Sequence, residues 1–146
     1  MPSVYIPAAI QQLAWKRANF YCEYCYAPSE FAPNDFEFDH IFPVSLGGNS
    51  QPDNLAIACG KCNNCKSNRL QYIDPLTNRT VSLFHPRKDF WTNHFQWNED
   101  FTLIEGISPA GRATTELLQV NRPSNVNLRN LLLLVGYHPP KDYPRN

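Results

Sequence analysis

The chain has no surplus of basic charge: 13 Lys and Arg stand against 13 Asp and Glu in 146 residues. That balance argues against nucleic-acid binding through one broad basic face. Long apolar runs are also missing. The longest, Leu131 to Val135, falls far short of the ~20 residues needed to cross a bilayer. The opening segment from Met1 to Pro7 has neither a basic n-region nor an apolar stretch of signal-peptide length, so export is not expected and a cytoplasmic setting is. Glycine is scarce, 6 against 13 prolines, which predicts short elements joined by rigid turns. Internal repeats and low-complexity tracts are absent. Length and composition suit one folded domain over 1–146.

Lysine and arginine are missing altogether between Ala18 and Gly60, where Glu23, Glu30, Asp35, Glu37, Asp39 and Asp53 occur. From Lys61 to Lys88 the sign reverses: Lys61, Lys66, Arg69, Arg79, Arg87 and Lys88 are opposed only by Asp74. An acidic half able to hold cations beside a basic half able to hold phosphates is what a metal-dependent phosphodiesterase needs. Two separate solvated faces would produce the same blocks.

What the chain does have is cysteine in a pattern. Cys22-x-x-Cys25 and Cys59-x-x-Cys62 form two pairs, and Cys65 makes the total odd. In a reducing compartment such pairs read as metal or redox sites sooner than as disulfides. Two CxxC knuckles suit one tetrahedral Zn²⁺, because each turn puts two sulfurs on one side of the metal. Such a site contributes about 10–16 kcal/mol of metal-linked folding free energy, comparable with the stability of a whole small domain. Cys62-x-x-Cys65 is itself a CxxC, so Cys65 is a competing ligand, half of a redox pair, or a spare thiol. The spare thiol is preferred, since the helix there must also present Asn63 to another face.

Residues 8 to 20 place Ile10, Leu13, Ala14 and Arg17/Ala18 at helical spacing behind Pro7, which predicts a lead-in helix. Pro28 and Pro33 mark the loop after the first knuckle. Phe36 to Phe42 alternates large apolar and polar residues and reads as a half-buried strand stopped by Pro43. A turn-rich loop follows from Leu46 to Asn54. Leu55 to Ala58 reads as a second strand, and a helix is expected from about Cys62 to Leu70. Further on, Val81 to Phe84 reads as a strand, Ser108-Pro109 opens a helix to about Val120, and Asn125 to Val135 is a last helix ended by Gly136. Trp91, Phe95 and Trp97 read as core anchors, His85 and His94 as structural, and His138 as part of a loose tail.

Between the cysteine pairs lies Asp39-His40-Ile41. Phosphodiester hydrolysis needs water made nucleophilic and charge relieved on the leaving oxygen, tasks for a histidine base and a divalent cation. His40 is the candidate base. Asp39 and Asn63 would make a sparse oxygen site of the kind Mg²⁺ accepts. Neighbours on a regular strand point to opposite faces, so Asp39 and His40 can share a site only if the strand ends or bends there. Lys66 and Arg69, three apart on the expected helix, could hold backbone phosphates.

These segments resemble the HNH endonuclease family. The resemblance rests on Cys22-Glu23-Tyr24-Cys25, on Phe38-Asp39-His40-Ile41-Phe42-Pro43-Val44-Ser45-Leu46-Gly47-Gly48, on Asp53-Asn54-Leu55-Ala56, and on Cys59-Gly60-Lys61-Cys62-Asn63-Asn64-Cys65-Lys66. It covers about residues 20–70. It implies an α+β fold: a ββα-metal (His-Me finger) core closed by a structural four-cysteine zinc site, with an N-terminal helix and a mixed, mainly helical C-terminal extension over 71–146 that packs on the core. It implies His40 as general base, Asp39 as ligand of the catalytic metal, and Asn54 as the residue that positions the loop and the His40 ring. The third signature position falls on Asn63, an H-N-N variant. The stretch from Leu83 to Pro123 resembles the extension of small stand-alone bacterial HNH proteins. The expected activity is metal-dependent cleavage of DNA with structural Zn²⁺ and catalytic Mg²⁺ or Mn²⁺. The alternative is a zinc-stabilised nucleic-acid-binding module that does not cleave.

Overall fold

The computed structural model describes residues 4–32 and 34–141; Pro33, expected in the loop after the first knuckle, lies outside them. Among the described residues, four α-helices and three two-stranded antiparallel sheets make a mixed α+β protein. The chain divides into two compact units, Met1–Leu70 and Gln71–Asn146. No helix among the described residues is long and apolar enough to cross a membrane.

In the first unit the lead-in helix α1 spans Ala8–Ala18. Pro7 precedes it and its carbonyl accepts from the Ile10 and Gln11 amides. Asn19 closes it in the left-handed conformation, φ 52°. Its buried residues are small, Ala14 and Ala18, which lets the helix lie close against Ile57, with Trp15, Phe36 and Phe38 packed around the contact. Trp15 stacks on both Phe20 and Phe36. Leu13, expected on the apolar stripe, is exposed instead.

Strand β1 spans Phe36–His40 and pairs antiparallel with β2, Leu55–Cys59, in the register Asp39 to Ala56 and His40 to Leu55. All five residues of β2 are buried. β1 alternates: Phe36 and Phe38 face the α1 cluster, so Glu37 and Asp39 face the other way. There α2, Gly60–Lys66, packs on both strands. This is a ββα unit, with the helix starting as soon as β2 ends. Helix α2 is shorter than expected: it stops at Lys66, and Ser67 follows at φ 52°.

The second unit begins with a hairpin, β3 Gln71–Ile73 and β4 Thr80–Ser82, followed by a second, β5 Phe95–Trp97 and β6 Ile104–Gly106. Helix α3, Pro109–Leu118, is N-capped by Ser108, whose hydroxyl accepts from the Gly111 amide at 2.9 Å. Helix α4 spans Pro123–Leu134, and Gly136 follows it at φ 78°. Trp91, Phe95 and Trp97 are all buried, with ring centroids 5.2 and 6.0 Å apart from Trp91, so they form a core. His94 is held by Ser108 at 2.6 Å, and the His85 ring accepts from the Arg87 and Lys88 amides.

The expected loose tail at His138 is not found. Its Nε2 lies 2.8 Å from the Phe101 carbonyl and its ring meets Trp97 edge-on at 4.7 Å. Trp97 also carries the Arg129 guanidinium at 5.1 Å, and Arg129 donates to the carbonyls of Thr102 and Val120. Aromatic packing and a backbone hydrogen bond therefore hold a segment whose prolines suggested only a break.

Asp74 organises the first hairpin. It is fully buried, receives the Arg112 guanidinium on both oxygens at 2.9 Å, and accepts from the Leu76 amide and the Thr77 hydroxyl. This ties the turn to α3, and the Arg112 hydrogen bonds hold the carboxyl well below the usual carboxylate range. A depressed folded-state pKa contributes its full stability above the unfolded value, about 3.9, and loses it progressively as pH falls from there toward the folded value. The second unit should therefore lose stability as pH falls below about 4, and the Asp74→Asn variant, weaker at neutral pH, should converge on the parent in acid. Tryptophan fluorescence melts in a Trp15→Phe background, where only Trp91 and Trp97 report, would show this.

Candidate active site

The four paired cysteines converge. All are buried, and their sulfurs lie within 4.8 Å of one another, with Cys25 and Cys59 3.8 Å apart. Four sulfurs at Zn–S distances of about 2.3 Å around a tetrahedral centre stand about 3.8 Å apart, so the cluster has the size of a zinc site. Each knuckle is built by a sulfur that accepts a backbone amide: Cys22 from Cys25 at 3.5 Å and Cys59 from Cys62 at 3.4 Å. Burial pushes the Cys22 thiol up, while thiol hydrogen bonds, from Cys22 above all, hold Cys59 down. Four buried sulfurs at this mutual distance are a soft, tetrahedral donor set, so the cluster fits Zn²⁺. Cys65 lies outside the cluster and is half-buried, consistent with a spare thiol.

Between the knuckles, the loop from Ile41 to Asn54 is closed by one side chain. Asn54 Oδ1 accepts from the Phe42 amide at 2.8 Å, and its Nδ2 donates to the carbonyls of Phe42 and Asn49 at 3.0 and 2.8 Å. The Ile41 amide adds a bond to the Asn54 carbonyl. The glycines serve the same closure. Gly47 sits at φ 100°, and a Cβ on Gly48 would meet the Phe42 carbonyl oxygen at 1.8 Å.

The closed loop brings Ser50 over His40, with Oγ 3.0 Å from Nε2. Asn54 thus holds the loop, and Ser50 holds the ring. Ser50 was not foreseen, because its partner is ten residues away across a turn-rich segment. His40 is half-buried. Burial first, then the Lys66 ammonium, lowers its pKa against the opposing pull of Asp39. A neutral imidazole with one nitrogen tethered is a suitable proton acceptor.

The α2 side of β1 differs from expectation. β1 ends at His40, as expected, with its ladder intact up to that residue, but Asp39 turns inward. Asp39 is buried; Oδ1 faces the Lys66 ammonium at 3.2 Å and Oδ2 accepts from the Tyr24 hydroxyl at 2.6 Å. Lys66 also donates to the Ile41 carbonyl at 3.2 Å. The expectation that Lys66 holds phosphates is therefore corrected: its ammonium is buried and spent on Asp39. Arg69, just past the helix, is exposed.

Asn63, expected beside Asp39, donates its amide to Glu37 instead. As arranged, Asp39 and Asn63 do not form a seat for a divalent cation, because an ammonium and a hydroxyl already hold Asp39. Glu37 and Asn63 line an open cleft of about 600 Å³ together with Asp35, Lys61, Asn64 and Ser67. Tyr24 and Glu37 were not singled out from sequence, although Tyr24 lies inside the first knuckle and Glu37 shares the alternation of Asp39.

Two outcomes follow. Purified protein should carry one zinc per chain, and Cys22→Ser or strong chelation should unfold the first unit, whereas Cys65→Ser should leave the metal content unchanged; elemental analysis and circular dichroism check this. Gly48→Ala should destabilise the first unit by about 1–3 kcal/mol or more, because the new methyl meets backbone and not a movable side chain. Denaturant titration would measure it.

No curated protein matches the chain. The HNH endonuclease family model does match, over residues 22–69, the segment that runs from the first cysteine pair through the Asn54-closed loop and α2 to Arg69. That segment of the first unit is thus similar to an HNH endonuclease domain.

Proposed function

We propose that this protein is an endonuclease that hydrolyses phosphodiester bonds in DNA, with His40 as the general base. The observation that supports this most is the His40 ring: half-buried, lowered in pKa, and tethered through Nε2 to Ser50 in a loop that Asn54 closes. Held in that way, the imidazole can take a proton from a water molecule presented to the phosphorus. Asn54 keeps the loop and Ser50 the ring in place, which shortens the search for a reactive alignment. Lys61 near the start of α2 and Arg69 just past its end are exposed, which supports them as contacts for backbone phosphates.

HNH nucleases use a divalent metal, and Mg²⁺ or Mn²⁺ is the expected ion here. Its expected ligands Asp39 and Asn63 are each engaged elsewhere, and that arrangement favours a second reading, a zinc-stabilised module that binds nucleic acid without cutting it. Both readings share the thiol site; only the first needs His40.

A supercoiled-plasmid assay in Mg²⁺ or Mn²⁺ separates them. The parent should nick the plasmid, and zinc-loaded His40→Ala should lose about 10²-fold or more of that rate. A parent that leaves both plasmid and single-stranded DNA intact with every metal would hand the lead to the binding module.

A further inference from the structure

The face of β1 that carries His40 also carries Phe36 and Phe38, because alternate residues of a strand share a side. Trp15 of α1 stacks on Phe36, with centroids 6.2 Å apart and planes at 17°, and meets Phe38 edge-on at 6.3 Å. Phe20 stacks on Trp15 in turn, at 5.6 Å and 23°. The result is a row of three near-parallel rings, joined edge-on to the residue two before His40. Its open end is Phe20, which is 55% exposed. Beside that end an open cavity of about 560 Å³ is lined by Ala8, Gln11, Gln12, Trp15, Phe20 and Ser29.

Phe20 does not suit the backbone it stands on. Asn19 and Phe20 both have positive φ, 52° and 63°, a conformation that asparagine tolerates and an aromatic residue disfavours. Packing on Trp15 does not account for the choice, since more than half of the residue stays in water. The cavity says what would cover it. One wall is aromatic, and the polar lining is neutral: two amides and a hydroxyl. Gln11 donates from Nε2 to the Ile6 carbonyl at 2.8 Å, which leaves its oxygen to accept. A phenyl or aliphatic side chain would leave such donors and acceptors unmatched, whereas a nucleobase has a flat apolar face and an edge carrying both kinds of group. Next in sequence to the lining are the exposed Lys16 and Glu30; the first can take an adjoining phosphate, and the second keeps phosphate off the Ser29 rim.

We propose that Phe20 and Trp15, with Gln11, Gln12 and Ser29 around them, bind an unpaired nucleobase, and that the strand presented to His40 is therefore single-stranded beside the point of cleavage. This deepens the nuclease reading and rests on it for the choice of nucleic acid as the ligand. In a duplex both faces of a base are covered by its neighbours, so only an unpaired or extruded base can lie on Phe20. Phe38 and His40 are about 6.7 Å apart along the strand, so a short stretch of unpaired chain reaches from the rings to the imidazole.

The experiment measures fluorescence anisotropy on zinc-loaded full-length protein, without Mg²⁺ or Mn²⁺, so that binding is read without cleavage. The probes are a labelled oligothymidine of about 12 nucleotides, within the usual site size, an abasic strand with the same phosphates, and a blunt duplex of the same length. The parent should bind the oligothymidine roughly fivefold or more tightly than the abasic strand, the effect of stacking one base. Phe20→Gly should lose that preference while binding the abasic strand and the duplex as the parent does. Glycine is at ease at φ 63°, so this variant should keep the parent's circular dichroism. A second measurement needs no variant: a strand carrying 5-iododeoxyuridine, photocrosslinked to the parent, should attach at Phe20 or Trp15 by tandem mass spectrometry. A parent that binds neither strand or both equally, a folded Phe20→Gly that keeps the preference, or crosslinks that fall only elsewhere overturns the proposal. Each of these results stands whether or not the plasmid is nicked, and a parent that prefers bases yet cuts nothing overturns the nuclease reading alone.

Discussion

Four sulfurs brought to within 4.8 Å of one another govern the first unit more than any apolar contact does. The apolar cluster under α1 is small, Ala14, Ala18 and Ile57 with three half-buried aromatics around them. A cluster of this size supplies only a few kcal/mol, whereas a structural zinc held by four thiolates contributes on the order of 10 kcal/mol. The geometry follows that imbalance. The first knuckle sits beside β2, with Glu23 receiving the Ile57 amide and returning its own to the Ile57 carbonyl. The second knuckle is where β2 becomes α2. Sulfur cluster, strand and helix start are thus one joint, and the loop that lays Ser50 over His40 hangs between its two halves.

That loop shows a different economy. Beyond Ile41 its large apolar side chains, Phe42, Val44 and Leu46, are exposed, so it is held by backbone satisfaction: three hydrogen bonds made by the Asn54 side-chain amide, one glycine at positive φ and one where no Cβ fits. Such closure fixes position without requiring volume. It is well suited to placing a single ring beside solvent, as a larger core would bury it and drive its pKa further from neutrality.

Much of this was legible from the chain alone. The cysteine spacing located the metal joint, the alternation of Phe36 to His40 located β1, and the Asn54 position located the loop staple. Three features were not legible, for distinct reasons. Strands such as β3, β5 and β6 have three residues each, too few for a period of two to declare itself. His138 is held by Trp97 and Phe101, partners that only the fold brings near. Lys66 and Asp39 were assigned opposite tasks, phosphate and metal, although they meet 27 residues apart. Which residue of a helix faces which residue of a strand depends on the rotation of α2 about its axis, a quantity that no linear spacing encodes.

Cys59 is both a sulfur of the metal cluster and the cap of α2, its Sγ accepting the Cys62 amide. A helix of seven residues does not persist in water by itself. Were zinc bound by the four sulfurs, a chain newly made in a zinc-poor cell would carry Asn63 and Lys66 on an open, cleavable segment that proteolysis removes. The number of folded copies would then follow zinc supply, with no inhibitor needed to lower it.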